Sequence, residues 1–222
     1  MNRITQTADG SNTLYSESIG EHYHSKHGAL QESRHVFVDA GLKHAIGRFP
    51  GREISILEVG FGTGLNFLLS AATAHEAGVP LNYVALEAFP LRAEELELTG
   101  YGAYVPSELW QSVLLNYGKA LQQSVEIIPA QRLKIHHTYL HRHETITTFD
   151  LLYYDAFSVQ HQPEMWTDEI IAHASRFLKP GGIFVTYAIT GKLKRALKSL
   201  GFDIEKLPGA PGKREMLRAI KI

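Results

Sequence analysis

A glycine-rich turn over residues 58–64 carries the strongest chemical signal in the chain. It reads Glu-Val-Gly-Phe-Gly-Thr-Gly and lies between a short apolar run and a segment with helical spacing. Glycine lets the main chain approach a ligand closely, because no side chain stands in the way. The first turn of the following helix offers free N–H groups, which bind a phosphate or a carboxylate. The turn therefore predicts a nucleoside site at Gly60, Gly62 and Gly64.

The spacing of the glycines indicates which ligand they serve. A dinucleotide site usually reads G-x-G-x-x-G, whereas this turn reads G-F-G-T-G with Glu58 two places before the first glycine. That pattern resembles the first motif of class I methyltransferases, which implies that Glu58 faces the methionine amine of S-adenosylmethionine. Glu87 ends the next predicted strand and is placed to accept both ribose hydroxyls, although an acidic residue there also serves NAD.

Asp155 is the candidate catalytic residue, because it lies at the carboxyl end of the predicted strand Phe149–Ala156. Ligands bind at that edge of an open parallel sheet. Positioning of an amine in line with a methyl donor supplies roughly 7–11 kcal/mol of the barrier. An ordinary Asp, with a pKa of about 3.9, is a poor base for an amine. We therefore expect Asp155 to accept an N–H hydrogen bond and stabilise the charge that grows on nitrogen; the alternative is a helix cap.

Strands and helices alternate regularly after residue 52, and they must bring these residues together. The predicted strands are Ile54–Val59, Leu81–Glu87, Leu133–His137, Phe149–Ala156, Ile183–Ala188, Asp203–Leu207 and Arg214–Ile222. The predicted helices are Gln31–Ala45, Gly64–Ala77, Phe89–Leu98, Ser107–Gln123, Pro163–Phe177 and Lys192–Leu200. This order predicts an α/β fold with a mostly parallel sheet and an antiparallel edge hairpin. We expect residues 53–222 to form a Rossmann-like domain, with residues 1–52 packed on it as an N-terminal extension.

Composition narrows the class of protein. A chain of 222 residues predicts one large domain, and the absence of cysteine excludes thiolate catalysis and cysteine-ligated zinc. The polar N-terminus and the lack of a run of roughly eighteen apolar residues predict a soluble, cytoplasmic protein. We expect no metal. A net charge of −1 gives no global field that would attract nucleic acid, so composition alone favours a small-molecule enzyme.

Further motifs extend over nearly the whole chain. They are Asp9-Gly10, Thr13-Leu14-Tyr15-Ser16, residues 20–25 (GEHYHS), residues 32–37 (ESRHVF), residues 60–67 (GFGTGLNF), Glu87 with Phe89-Pro90-Leu91, Asp155-Ala156-Phe157, residues 163–167 (PEMWT), residues 179–182 (KPGG) and residues 212–216 (GKREM). Together they resemble the methyltransferase domain of the MnmC family, bacterial enzymes that complete methylaminomethyl-uridine at the tRNA wobble position.

The resemblance implies a class I fold, S-adenosylmethionine as donor and the aminomethyl nitrogen of a modified uridine in tRNA as acceptor. It also implies catalysis by Asp155 and cofactor contacts at Glu58, Gly60, Gly62, Gly64, Asn66 and Glu87. The family commonly carries a fused flavin-dependent oxidase domain, and this chain ends without one. We therefore expect methylation alone from a stand-alone form, with a separate oxidase as a candidate partner.

One departure from the wider class concerns adenine. Many class I members have Gly-Asp after the strand that matches Leu133–His137, and the Asp meets the adenine amino group. This chain has Thr138-Tyr139 there. Stacking by Tyr139 and contact with a main-chain carbonyl are the two alternatives.

Two groups of residues are candidates for binding the RNA. Aromatic faces stack on splayed-out bases. The family resemblance therefore suggests that the acceptor pocket is lined by Tyr15, His22, Tyr23 and His24. The alternative is that these residues only pack the extension onto the sheet. The densest cationic cluster is a basic helical stretch with two cations nearby in the sequence, namely Lys192, Lys194, Arg195 and Lys198 with Lys213 and Arg214. It is the best candidate for phosphate contacts, although such runs are usually solvated helix faces.

Two other functions compete with tRNA methylation. A small-molecule N-methyltransferase or an aminopropyltransferase shares the fold and an Asp after the same strand, and the near-neutral charge favours it. A non-catalytic partner of a separate oxidase would bind S-adenosylmethionine without turnover, and the presence of Asp155 opposes this hypothesis.

Overall fold

The structure is a computed structural model that describes residues 2–222. Its strands are β1 (Arg3–Gln6), β2 (Asn12–Ser16), β3 (Glu21–His22), β4 (Ile54–Val59), β5 (Leu81–Glu87), β6 (Val125–Ile128), β7 (Gln131–His137), β8 (Phe149–Tyr154), β9 (Leu178–Thr186), β10 (Phe202–Pro208) and β11 (Glu215–Lys221). Its helices are α1 (Ala29–Glu32), α2 (His44–Arg48), α3 (Leu65–Glu76), α4 (Ala93–Glu97), α5 (Ser107–Ala120), α6 (Asp168–Arg176) and α7 (Gly191–Ser199). A π-helical stretch, Ser33–Lys43, joins α1 to α2.

One eight-stranded sheet forms the centre of the molecule, in the order β10-β11-β9-β8-β4-β5-β7-β6. The strands from β9 to β7 pair in parallel. The hairpin of β10 and β11 lies antiparallel at one edge, and the short strand β6 lies antiparallel at the other. The predicted mostly parallel sheet with an antiparallel edge hairpin is confirmed. Strand β6 was not predicted, because four residues are too few to show a pattern.

Burial explains why these sequences form the central strands. Strands β4 and β8 are buried along their whole length, as expected for parallel strands covered by helices on both faces. Helices α3 and α5 and the π-helical stretch pack on one face of the sheet, whereas α6 and α7 pack on the other. The carboxyl ends of the parallel strands are thus left open to a ligand at one edge.

Three predicted elements have different bounds in the structure. The helix expected from Phe89 begins at Ala93, because Glu95 accepts a hydrogen bond from the Arg92 N–H and caps the helix there. The helix expected over Pro163–Phe177 is divided into a 3-10 turn and α6. Strand β9 begins at Leu178, so the predicted turn at residues 179–182 lies within the strand, opposite a register shift in β8.

The N-terminal extension forms a three-stranded antiparallel sheet, β1-β2-β3. It is followed by the continuous helical segment made of α1, the π-helical stretch and α2. Leu14, Val36 and Phe37 belong to the same apolar cluster as Ile54 and Ile56 of β4. The extension therefore packs on the sheet within one core, and the boundary after residue 52 stays a prediction. Across residues 2–222, no helix combines the length and the apolar character that crossing a membrane requires.

One buried carboxylate joins the amino ends of three central strands. Asp150 of β8 is 1% exposed, and it accepts hydrogen bonds from the N–H and hydroxyl of Ser55 on β4 at 2.9 and 2.7 Å. Lys179 of β9 and Arg52 donate to its other oxygen at 2.9 and 2.7 Å. Burial raises the pKa of Asp150, but these hydrogen bonds and the Lys179 charge outweigh it and hold the pKa below its ordinary value.

We expect Asp150→Ala to lower the free energy of unfolding by roughly 1–3 kcal/mol, because the buried N–H of Ser55 loses its acceptor while the partly exposed cations of Lys179 and Arg52 stay hydrated. Urea denaturation measures the change. Glu53→Ala is the matched control, because Glu53 forms an exposed pair with Arg132, and such pairs contribute about 1 kcal/mol or less. Equal losses in the two variants would contradict the role given to Asp150.

Candidate active site

A cavity of about 800 Å³ opens at the carboxyl ends of β4, β5 and β8. The glycine turn, the end of β5 and the loop after β8 line one side of it, and the N-terminal extension lines the other. Asp155, Asn66 and Glu87 all reach its surface. The sheet edge predicted to bind a ligand therefore forms one wall of the cavity, and the extension supplies the opposite wall.

The glycines of the turn are required by the protein itself. A side chain at Gly60, whose φ is +89°, would place Cβ 2.5 Å from the main-chain oxygen of Asp155. At Gly62 it would lie 2.9 Å from the ring of Tyr23. These two glycines thus let the turn pack directly on the Asp155 loop and on the extension, and their contact with a ligand stays a prediction. Gly64 begins α3 and does not line the cavity.

Glu87 is held rigidly at the cavity wall. Its two carboxylate oxygens accept hydrogen bonds from the main-chain N–H groups of Gly62 and Phe89, each at 2.8 Å. The main-chain oxygen of Glu87 accepts a third bond from the N–H of Thr138 at 3.0 Å. One acidic residue thus joins the glycine turn to the two loops that follow β5 and β7, and it also lines the cavity.

Asn66 bridges the two other acidic residues. Its amide nitrogen donates to Glu58 at 2.9 Å and to Asp155 at 2.7 Å. Glu58 is fully buried and does not line the cavity, so the structure does not place it in direct reach of a ligand, contrary to expectation. The amide oxygen of Asn66 has no hydrogen-bond partner among residues 2–222. The Oε2 atom of Glu58 lacks a hydrogen bond of standard geometry, although Tyr83 interacts with this carboxyl.

Burial changes the acid–base properties of both carboxyls. It raises the pKa of Asp155 to about 8, and the charge of Glu32 raises it further, whereas Asn66 and Lys213 oppose the change. Burial and the nearby Asp155 also raise the pKa of Glu58 well above its ordinary value. The ordinary pKa assumed for Asp155 from the sequence does not apply, because an unpartnered charge is costly in this setting. Asp155 is therefore a much stronger base than a solvated Asp.

The four candidates from the extension all line the cavity, namely Tyr15, His22, Tyr23 and His24. Tyr23 packs edge to face on Phe157, with ring centroids 5.1 Å apart, and Tyr15 lies 4.8 Å from His22. The ring nitrogens of His24 lie 3.3 Å from the Thr13 hydroxyl and 3.5 Å from the Thr63 hydroxyl. Burial lowers the pKa of His24 to about 4, so this ring is neutral at pH 7.

The predicted cationic cluster is divided in the structure. Lys213 lines the cavity and forms an ion pair with Glu32. Lys194 and Arg195 belong to α7 and do not line the cavity, and Arg214 is exposed beside Lys213. These four cations were grouped because they are near one another in the sequence. In the fold, only Lys213 of the four lines the cavity.

Several residues of the cavity were not predicted. Glu32 is 6% exposed, and its burial becomes evident only in the fold. Glu21 accepts a hydrogen bond from the Ser158 N–H at 2.9 Å and lies 3.4 Å from the His161 ring. Both acids belong to motifs at residues 20–25 and 32–37 that carry the family resemblance, which was the only sequence signal for them.

Aromatic side chains form the rim beside Glu87. Phe89 is 62% exposed and Tyr139 is 39% exposed, and their rings meet edge to face at 5.8 Å. The guanidinium of Arg142 lies 5.2 Å from the Tyr139 ring. Tyr139, which stands where many class I members have the Asp that meets adenine, thus forms an exposed apolar surface together with Phe89.

Comparisons with known proteins agree with this geometry. A family model described as S-adenosyl-L-methionine-dependent methyltransferase matches residues 105–222. The bifunctional protein MnmC of tRNA 5-methylaminomethyl-2-thiouridine biosynthesis from Aromatoleum aromaticum is 32% identical over 97% of this chain and 35% of its own length. Its counterpart from Magnetococcus marinus is 32% identical over 94% of this chain and 32% of its own length. The chain spans about a third of the length of these curated relatives.

Solved structures share the fold. The crystal structure of MnmC2 from Aquifex aeolicus has a TM-score of 0.77 and 26% identity, and the match covers 99% of this chain and 70% of that one. Magnesium protoporphyrin IX methyltransferase from Synechocystis, crystallised with bound SAM, has a TM-score of 0.52 at 13% identity and covers 83% of this chain and 78% of its own. The class I methyltransferase fold expected from the glycine turn is confirmed.

The matched family and fold agree with the arrangement of the cavity. It is lined by the glycine turn, by Glu87 at the end of β5 and by Asp155 after β8. The resemblance to the methyltransferase domain of MnmC is likewise confirmed. The chain belongs to the family of S-adenosyl-L-methionine-dependent methyltransferases.

Proposed function

We propose that this protein methylates the 5-aminomethyl group of the tRNA wobble uridine and so produces 5-methylaminomethyl-uridine. The observation that carries this proposal is Asp155, a carboxyl of raised pKa that lies in the same cavity as the glycine turn. The names of the MnmC relatives supply the substrate, and they apply to proteins about three times as long. A separate flavin-dependent oxidase stays a predicted partner, since those relatives are bifunctional.

The residues of the cavity fit the donor. Glu87, fixed by two N–H groups, offers its carboxylate to a ribose diol, and Asn66 and Asp155 border the same cavity as the glycine turn. Gly60 and Gly62 border the same space, whereas Glu58 acts from behind Asn66. Phe89 and Tyr139 are candidates for contact with adenine, since flat apolar faces stack on a base. When bound, S-adenosylmethionine supplies the methyl group that the acceptor nitrogen takes up.

Asp155 removes the proton that blocks the acceptor nitrogen. An alkylammonium group has no lone pair and must release a proton before it can react. A pKa of about 8 lets Asp155 take that proton at far lower cost than an ordinary Asp. Asn66 holds the carboxyl at 2.7 Å and thereby fixes the direction from which the nitrogen approaches.

The wall opposite the donor residues suits a nucleobase. Tyr15, His22 and Tyr23 present aromatic faces to the cavity, and aromatic stacking is the usual way to hold a single splayed-out base of RNA. The neutral His24 adds a hydrogen-bonding ring without a charge that would repel a cationic acceptor.

One assay separates the proposed function from its rivals. We expect methyl-labelled S-adenosylmethionine to label tRNA from cells that lack this protein and not to label polyamines. Transfer to polyamines but not to tRNA would support a small-molecule enzyme, and binding without any transfer would support a non-catalytic partner. Mass spectrometry of the digested tRNA identifies the modified nucleoside.

We expect Glu87→Ala to weaken S-adenosylmethionine binding by about 1–3 kcal/mol, because the ribose hydroxyls lose their acceptor in a partly buried site. Calorimetry on purified protein measures this without added metal or flavin. Glu97→Ala on the exposed face of α4 is the control. An unchanged affinity in Glu87→Ala would remove this residue from the donor site.

We expect Asp155→Asn to fold and bind S-adenosylmethionine, yet to lose methyl transfer by a factor on the order of a hundred or more, since the amide cannot take the proton. Its stability adds an independent check. Because the folded pKa of Asp155 lies above the unfolded one, the wild type loses stability as the pH rises from about 4 toward 8. The melting temperature of Asp155→Asn should therefore exceed that of the wild type at pH 8, and the two should converge near pH 4. Activity within a few-fold of wild type would reject the assignment.

We expect cations at the cavity mouth to contact the phosphates of tRNA. Lys26 lines the cavity, and the Arg3 guanidinium lies 5.6 Å from the ring of Tyr15. Each lost contact should flatten the plot of log affinity against log salt by about 0.7–0.9, so Arg3→Glu/Lys26→Glu should reduce both affinity and slope. Lys194→Glu/Arg195→Glu tests the α7 candidates in parallel. A larger effect of the α7 pair would transfer the phosphate site to that helix.

A further inference from the structure

A buried ion pair connects the two ends of the chain beside Asp155. Glu32, in α1 of the extension, accepts a hydrogen bond from Lys213 Nζ at 2.5 Å through one oxygen and from the Ser25 N–H at 2.9 Å through the other. Lys213 lies in the loop between β10 and β11. The Glu32 side chain is 8% exposed and that of Lys213 is 32% exposed.

The same lysine contacts the segment that carries Asp155. Its ammonium lies 3.8 Å from the centroid of the Tyr187 ring, and the Tyr187 hydroxyl donates to the main-chain oxygen of Ala156 at 2.9 Å. Ala156 directly follows Asp155. Glu32, Lys213 and Tyr187 therefore form one connected group that lines the same cavity as Asp155 and contacts the residue after it.

The charges that face Asp155 come from every element packed around it. Glu58 of β4 and Glu32 of α1 are acidic, Tyr83 and Tyr187 are phenols whose pKa is raised by burial, and Lys213 is the cation. Glu32 favours the protonated form of Asp155, whereas Lys213 favours the ionised form. The two members of one ion pair thus act on Asp155 in opposite directions.

We propose that Glu32 and Lys213 are positioning residues that together set the charge on Asp155. Glu32 without Lys213 would hold Asp155 protonated and unable to accept a proton. Lys213 without Glu32 would hold it ionised and make it a weaker base. Joined as a pair, they leave it close to the balance between the two forms. This inference rests on the proposed role of Asp155, but not on which amine is the acceptor.

Carbon-13 NMR of aspartate-labelled protein follows the titration of Asp155 without any substrate, and the Asp155→Asn spectrum identifies its signal. We expect Lys213→Met to raise the midpoint by roughly one pH unit and Glu32→Gln to lower it by about as much, as for an added or removed neighbouring charge. Lys213→Arg keeps the charge and should titrate near the wild type, and the double variant Glu32→Gln/Lys213→Met should return toward it. Lys206→Met and Glu126→Gln, both at exposed positions, are the matched controls.

Methyl transfer to tRNA supplies the second readout. The acidic limb of the pH–rate profile should move upward in Lys213→Met and downward in Glu32→Gln. Shifts in the same direction, or no shift, would overturn the inference and leave the pair a structural contact. A change limited to the salt dependence of tRNA binding would make Lys213 a phosphate contact and would overturn it as well. Failure of the proposed function is distinguishable, since the wild type would then leave tRNA unmethylated while the NMR titration still reports on the pair.

Discussion

The active site depends on one amide group that donates to two acidic side chains in a buried place. Two carboxylates this close in a medium of low dielectric cannot both ionise at ordinary pKa values. Asn66 lowers the cost by donating to both, while burial keeps the pKa of each carboxyl raised. The carboxyl ends of β4 and β8 thus carry two acids that favour the protonated form, which suits the proton transfer proposed for Asp155.

The rest of the fold is arranged so that these three groups meet. Strands β4 and β8 are neighbours in parallel register, with Glu58 opposite Tyr153, so that the carboxyl ends of both strands reach the same edge. Gly60 lets the turn pack on the main chain of Asp155, and α3 begins five residues later with Asn66 in its first turn. A larger residue at Gly60 would push the glycine turn away from the loop that carries Asp155.

The strands and the ligand-binding edge of the sheet could be predicted from the sequence, whereas the pKa of Asp155 could not. Periodicity located the strands because buried parallel strands are continuous apolar runs, and the glycine turn indicated the ligand edge. The bounds of α4 depended on the Glu95 cap, and β6 was too short to detect. Burial and the charge of Glu32 raise the pKa of Asp155, whereas Asn66 and Lys213 lower it. Glu32 and Lys213 are distant in the sequence and meet only in the fold. No local pattern contains such a pair, and the same reason explains why Lys213 was grouped with α7.

The pairing of Glu32 with Lys213 also ties the extension to the other end of the chain. The glycine turn, Asn66 and Glu87 lie within residues 54–87, whereas the ion pair joins residues 181 positions apart. Val36 and Phe37 of the extension belong to the same apolar cluster as Ile54 and Ile56, so Glu32 and Lys213 can separate only if the extension leaves that cluster. We therefore expect the extension and the cavity wall beside Asp155 to unfold as one cooperative unit.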